Sequence, residues 1–168
     1  CASGLSLLSR HVVGRDAIVQ EGCGPAIVTF LEQETNIWTI RNSLSAFTNL
    51  LVDKGKHDKV LTRGGIDAVI NLCSHSSQKI REACALAMFN FTRGEAHRDE
   101  TVSASAVPAL ITLSRQLPES HTRMRCAATL CKFATVEKNV ALMVETGVVP
   151  AFIDMLHTRD QDVVKHCC

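Results

Sequence analysis

The chain has 168 residues, of which 46% are hydrophobic and 21% charged, and its formal net charge at neutral pH is +1. This suits one core-forming domain or a short array of stacked units, and it gives no global attraction to nucleic acid or to an acidic membrane surface. No apolar run approaches the ~20 residues of a bilayer-spanning helix, and no basic-then-apolar leader is read near the start.

Residues 1–11 read as the end of a helix, with Leu7 and Leu8 on an apolar turn. Over 14–52 the pattern gives three helices. The first closes near Gly22, the second opens in Gly22-Cys-Gly-Pro-Ala-Ile-Val, and the third carries Ser43, Ala46, Phe47 and Leu50. The stretch 56–93 follows the same plan, with Gly64-Gly-Ile-Asp-Ala-Val-Ile expected to hold the turn into its second helix. Its third helix spans Ile80 to Thr92, where Cys84, Ala87, Met88 and Phe91 recur at i, i+3, i+4 and i+7 as one apolar face. The charged run Arg93 to Glu100 reads as an exposed loop. The stretch 97–135 then presents Ser105-Ala-Val-Pro-Ala-Leu-Ile and a third helix with Cys126, Thr129, Leu130 and Phe133. Over 138–168, a short helix from Asn139 to Glu145 ends at Gly147, which suits a left-handed helix end. Pro150 falls in the first turn of the next helix, where a missing N–H costs nothing, and Phe152, Ile153 and Met155 are expected to face inward. A truncated third helix closes the chain, and no strand-like alternation persists.

The fourth residues of the four signature segments are Pro25, Asp67, Pro108 and Pro150, so the steps are 42, 41 and 42. Phe30, Leu72, Leu113 and Met155 keep the same phase, as do Leu7, Asn49, Asn90 and Lys132. Three helices per unit, this step and the Gly-x-x-Pro-Ala signature resemble the armadillo repeat along essentially the whole chain. HEAT repeats are the nearest alternative, but they have two helices and normally lack the glycine that ends a separate first one. The resemblance implies an all-α, right-handed α-solenoid of stacked three-helix repeats. Its third helices would line a concave groove along which extended partner segments run. Cys1, Ser43, Cys84, Cys126 and Cys168 share one repeat position, so the chain starts and stops at the same point of a third helix. Further repeats are therefore expected at both ends.

The eight cysteines (Cys1, Cys23, Cys73, Cys84, Cys126, Cys131, Cys167 and Cys168) lie mostly within apolar helical patterns. They read as reduced thiols packed like small hydrophobes, in a cytoplasmic protein, with nuclear, cytoskeletal or ciliary placement as alternatives. The tail Lys165-His-Cys-Cys168 matches a prenylated end, but repeat phase already accounts for Cys168. His121, Cys126 and Cys131 are five residues apart and turn away from one another by about 140° per step, so no metal site is read. Asn90-Phe-Thr92 matches a glycosylation sequon but falls within a helix. Gly64-Gly65 reads as a repeat turn, since no phosphate-loop pattern follows it. No catalytic constellation appears, and the chain is read as a non-enzyme without cofactor or metal.

Asn49 and Asn90 resemble the family's peptide-binding asparagine ladder, which Leu7 and Lys132 interrupt. Importin-α-type receptors pair each such Asn with a Trp four residues earlier. Here Ser3, Ser45, Leu86 and Ala128 stand in those places, which argues against recognition of nuclear-localisation signals. Trp38 has polar repeat equivalents, Lys79 and His121, so its position is expected to be exposed; a partner anchor and a local packing role are both open. The groove is assigned Asn49, Asn90, Ser45, Leu86 and Trp38, with Arg41, Arg93, Arg125 and Lys132 (and neighbouring Arg10) outweighing Glu82. That excess of positive charge points to an extended, acidic protein segment as partner, and to neither nucleic acid nor membrane. The chain is accordingly read as a protein-interaction scaffold or adaptor. The alternatives are a substrate-recruiting or regulatory repeat region of a larger enzyme such as a ubiquitin ligase, and a structural part of a cytoskeletal or ciliary assembly.

Overall fold

The computed structural model describes residues 1–34, 36–94, 101–102, 105–117, 120–157 and 160–167. Its helices in chain order are α1 (Ala2–Leu8), α2 (Val12–Gln20), α3 (Gly24–Gln33), α4 (Ile37–Leu50), α5 (His57–Val60), α6 (Arg63–Leu72) and α7 (Gln78–Phe91). They continue as α8 (Ala106–Gln116), α9 (Ser120–Ala134), α10 (Glu137–Glu145), α11 (Val148–Leu156) and α12 (Gln161–Cys167). No strand occurs among the described residues. Residues 95–100 of the charged loop, and Cys168, lie outside them.

Each third helix packs on the next, so α1, α4, α7, α9 and α12 form one continuous row. The second helices make a parallel row, with α3 against α6 and α8 against α11. Between the rows runs a core in which Phe47, Phe91 and Phe133 are fully buried. Phe47 and Phe91 meet edge to face, with centroids 6.1 Å apart. Cys84 and Cys126 are completely buried in the same core, and none of the seven described cysteines forms a disulfide.

The corners between first and second helices use left-handed backbone. Gly22 has φ 67° and Gly147 φ 87°, and at the latter α10 and α11 meet at a bend of 81°. In the third unit the same place is taken by Ser105 at φ 65°. The second unit departs from the sequence expectation. Gly64-Gly65 is not its turn but lies inside α6, because Thr62 starts the helix earlier, its hydroxyl accepting from the Gly65 N–H at 3.2 Å. Gly65 serves packing instead: a Cβ there would come within 2.8 Å of Phe47 Cζ. The first helix of this unit is reduced to a 3-10 turn, Lys54–Lys56, and the single turn α5.

Side chains close the other corners. Arg15 Nη1 donates to the carbonyls of Ser9 and Arg10, both at 3.1 Å, beyond the end of α1. His57, one repeat later, places Nε2 2.8 Å from the Leu51 carbonyl beyond α4. Arg81 Nη1 donates to His75 and Ser76 carbonyls at 2.7 and 2.9 Å after α6. Cationic or N–H donors at helix C-termini satisfy otherwise orphaned carbonyls.

One expected inward residue faces out. Met155 is buried and Phe152 half-buried, but Ile153 is 49% exposed, because no described element packs over that side of α11.

Candidate functional site

The row of third helices has one face left partly open. Along it, α4 contributes Arg41, Asn42, Ser45 and Asn49, all half-buried, and α7 contributes Glu82, Leu86 and Phe89. From α9 come Met124, Arg125 and Lys132, with Arg93 just beyond α7, again half-buried. Lys132 Nζ lies 4.1 Å from the centroid of the Phe89 ring, a cation–π contact between adjacent repeats. Glu82 accepts from Gln78 Nε2 at 2.7 Å on its own helix.

The shared position of Asn49, Asn90 and Lys132 reaches back to the preceding third-helix region in each unit. Asn49 Nδ2 donates to Ser9 Oγ at 3.0 Å, Asn90 Nδ2 donates to the Thr48 carbonyl at 3.1 Å, and Lys132 covers Phe89. Ser6 and Ser45 hydroxyls meet at 3.1 Å beside the first of these. The expected presentation of Asn90 to a partner is therefore corrected. It is 3% exposed and its amide is committed to holding α7 on α4, since a buried donor without an acceptor would cost about 1–3 kcal/mol. Asn49 remains half-buried at the surface.

Trp38 is 65% exposed. It stands eleven residues before Asn49, about 16 Å along the axis of α4. There it lines a cleft with Phe30 and Glu34 of the α3 end and with Cys1, Ala2 and Ser3 at the start of α1, away from the Asn49 end of the groove. Asn36 caps α4 at this edge, its Oδ1 accepting from the N–H groups of Trp38 and Thr39 at 2.9 and 3.3 Å. Arg41 stacks on the indole 4.6 Å from its centroid.

On the side of the first helices, Lys56 pairs with Asp16 and, at 3.0 Å, with Asp53, tying the first and second units together. Hydrogen bonding to Asp16 and Asp53 raises the Lys56 pKa, and the Lys56 hydrogen bond lowers that of Asp53. Sequence reasoning missed this bridge, for which no repeat-phase signal exists. Among the described residues no group of three His, Cys, Asp or Glu side chains is placed to hold a metal ion, and no single helix is long and apolar enough to cross a membrane.

Residues 137–168 match the family model described as Armadillo/beta-catenin-like repeat, and the stacked geometry extends that plan over the chain. The chain has the fold of an armadillo-type α-solenoid. A computationally designed armadillo repeat protein for modular peptide recognition superposes with a TM-score of 0.90, covering 99% of this chain and 71% of that one at 17% identity. A designed armadillo repeat protein solved in complex with the peptide (KR)4 gives a TM-score of 0.85, covering 99% and 69% at 15% identity. Likeness at such identities establishes fold alone. Among curated proteins, U-box domain-containing protein 30 of Arabidopsis thaliana is 23% identical over 162 residues, 95% of this chain. The chain spans only 36% of that relative's length.

Proposed function

We propose that this armadillo-repeat chain is a non-enzymatic protein-interaction scaffold whose third-helix face binds an extended, acidic protein segment. The observation that carries the reading is the uninterrupted row α1–α4–α7–α9–α12, a surface repeating in register with an extended chain. Packed helices stand roughly 8–10 Å apart, which two to three residues of extended backbone cover. Arg41, Arg93, Arg125 and Lys132 supply positive charge along it, opposed chiefly by Glu82. Charge complementarity of this kind favours encounter and register, and it weakens with salt. Asn49 contributes an amide at the margin, whereas Asn90 belongs to the scaffold. The same reading places the protein in the cytoplasm, a reducing compartment; core-filling thiols at Cys73, Cys84 and Cys126 support it.

The test is a titration of a dye-labelled peptide of alternating Glu and Ser at two salt concentrations. Binding should weaken as salt rises, and the double change Arg125→Glu with Lys132→Glu should weaken it by at least about tenfold, roughly 1.4 kcal/mol. Equal binding of a Gln–Ser peptide, or unchanged affinity of the variant, would overturn the groove assignment. A second reading has one specific support. The curated relative carries a U-box domain in its name and exceeds this chain in length, so the same surface would recruit substrates if this chain belongs to a larger ubiquitin ligase.

A further inference from the structure

We propose that the sulfur atoms of Cys73, Cys84 and Met88 form a buried site for one Cu(I) ion, where the end of α6 packs on α7. Cys73 caps α6, and Cys84 and Met88 stand one helical turn apart on the face of α7 that meets it. Cys73 Sγ lies 3.6 Å from Met88 Sδ and 3.3 Å from the Val69 carbonyl oxygen. Cys84 joins this group: burial, and then a side-chain hydrogen bond with Cys73, push its pKa well above the usual thiol range. All three side chains are buried. At the ~2.3 Å bond length of zinc thiolates, an ion in trigonal geometry holds its sulfurs about 4 Å apart. The Cys73–Met88 pair already stands close to that separation.

The repeat gives the reason to regard this trio as a site. The equivalent positions hold Leu31, Ser43 and Phe47 one unit earlier, and Ser114, Cys126 and Leu130 one unit later. All six are buried as well, so the stack closes around aliphatic, aromatic and hydroxyl side chains as readily as around sulfur. Of these three units, the second alone brings three sulfurs together. Thiol and thioether donors suit Cu(I) among the first-row ions. Structural zinc and iron–sulfur clusters take four protein ligands, and among the described residues no three His, Cys, Asp or Glu side chains are grouped to begin such a set. The core also dictates the charge, since an unmatched ion is costly there. A small thiol such as glutathione would deliver the ion by exchange. The carrier's Cu–S bond breaks, a Cu–S bond forms to Cys73, and the Cys73 proton passes to the carrier's sulfur. The product is a neutral copper thiolate that Met88 Sδ and Cys84 Sγ complete with lone pairs, and no electron is transferred. Loading follows local opening of α6 from α7, as expected for a metal bound within a core.

The test uses the whole chain, with its accessible thiols first blocked by iodoacetamide in the native state. It is then equilibrated anaerobically with Cu(I)–glutathione in urea below the unfolding midpoint, and desalted. About one copper per chain should remain, and X-ray absorption should show sulfur as its sole first-shell ligand. In competition with the Cu(I) chelator bicinchoninate, Cys73→Ser, Cys84→Ser and Met88→Leu should each weaken retention at least about tenfold, the cost of even an outer-shell change at a metal site. The replacements are side chains that other units bury at the same positions, as Ser114, Ser43 and Leu130, and circular dichroism verifies that each variant folds. Met88→Leu, which nearly conserves volume, carries the test should a serine variant unfold. Cys126→Ala removes a buried thiol outside the trio and should leave retention unchanged. The proposal is overturned by absence of retained copper, by nitrogen or oxygen in the first shell, or by parent-like retention in any of the three variants. A loss in Cys126→Ala as large as that in Cys73→Ser would assign the ion to a different set of thiols and overturn it as well.

Discussion

Two adjacent glycines in α6 have opposite jobs. At Gly65 an added Cβ would meet the buried Phe47 ring at 2.8 Å, and that ring is held edge-on against Phe91. Gly65→Ala should therefore destabilise by about 1–3 kcal/mol in urea unfolding, the range of overpacked cores. At Gly64 the nearest atom is the mobile end of Glu32, at 3.4 Å, and the backbone is helical. Gly64→Ala should stabilise by about 0.5–1 kcal/mol by restricting the unfolded chain. The sequence pattern aligned both glycines with the turn glycines of other units. It could not show that Thr62 would cap α6 early, because the competing cap lies outside the repeat signature.

The buried thiols make a pH prediction at the same scale. Desolvation raises the Cys126 pKa to about 12 and pushes that of Cys84 well above its usual value of 9.0. A raised folded-state pKa means that the native chain keeps a proton which the unfolded chain releases. The resulting stability is intact below pH ~9 and declines between that pH and about 12. Unfolding free energy measured across this window should fall with pH, and the slope should be shallower in Cys126→Ala than in the parent. An unchanged slope would show that Cys126 is more hydrated than its burial indicates. In the native state below pH 9, a thiol reagent should label exposed Cys1 and spare Cys84 and Cys126.

Among elements, the contact between third helices decides what is scaffold and what is surface. Asn90→Ala removes the donor to the Thr48 carbonyl inside the α4–α7 interface. It should cost about 1–3 kcal/mol of stability while leaving affinity for an acidic peptide unchanged once the protein is folded. A loss of affinity without loss of stability would return Asn90 to the binding face. Helix identity, the step of the repeat and the apolar faces were legible in the sequence, because burial imposes the 3.6-residue period on every unit. The roles of Asn49, Asn90 and Lys132 were not, because one repeat position can point either at a neighbouring helix or at a ligand. Which it does depends on the carbonyl or ring that the preceding unit offers: Ser9, Thr48 and Phe89 differ in kind, and periodicity carries no trace of that difference. Trp38 was legible as exposed, since its equivalents are polar, but the cleft beside it arises from Phe30 and Glu34 at the end of α3 and from the first residues of α1.

At the scale of the whole molecule, stability is a sum over units and the interfaces between them, so identical positions carry different weights along the stack. Ile111 on α8 and Ile153 on α11 occupy one repeat position, yet they are 6% and 49% exposed. Val107 and Val149 repeat the contrast at 1% and 48%, and Val102 and Val144 at 2% and 53%. A buried isoleucine truncated to alanine loses both its transfer free energy and the packing around it, about 2–5 kcal/mol. A half-exposed one has already forgone much of that burial, and its loss should fall nearer 0.5–1 kcal/mol. Ile111→Ala should therefore lower the urea midpoint well below that of Ile153→Ala. Amide exchange should show the same gradient, with strong protection in α7 and α8 and faster opening in α11, whose Val149 and Ile153 are half exposed. Equal costs for the two substitutions, together with uniform protection from α7 to α12, would mean that the apolar side of α11 is covered in solution. The position of Ile153 in the repeat would then identify the covering element as something that packs as a neighbouring unit does.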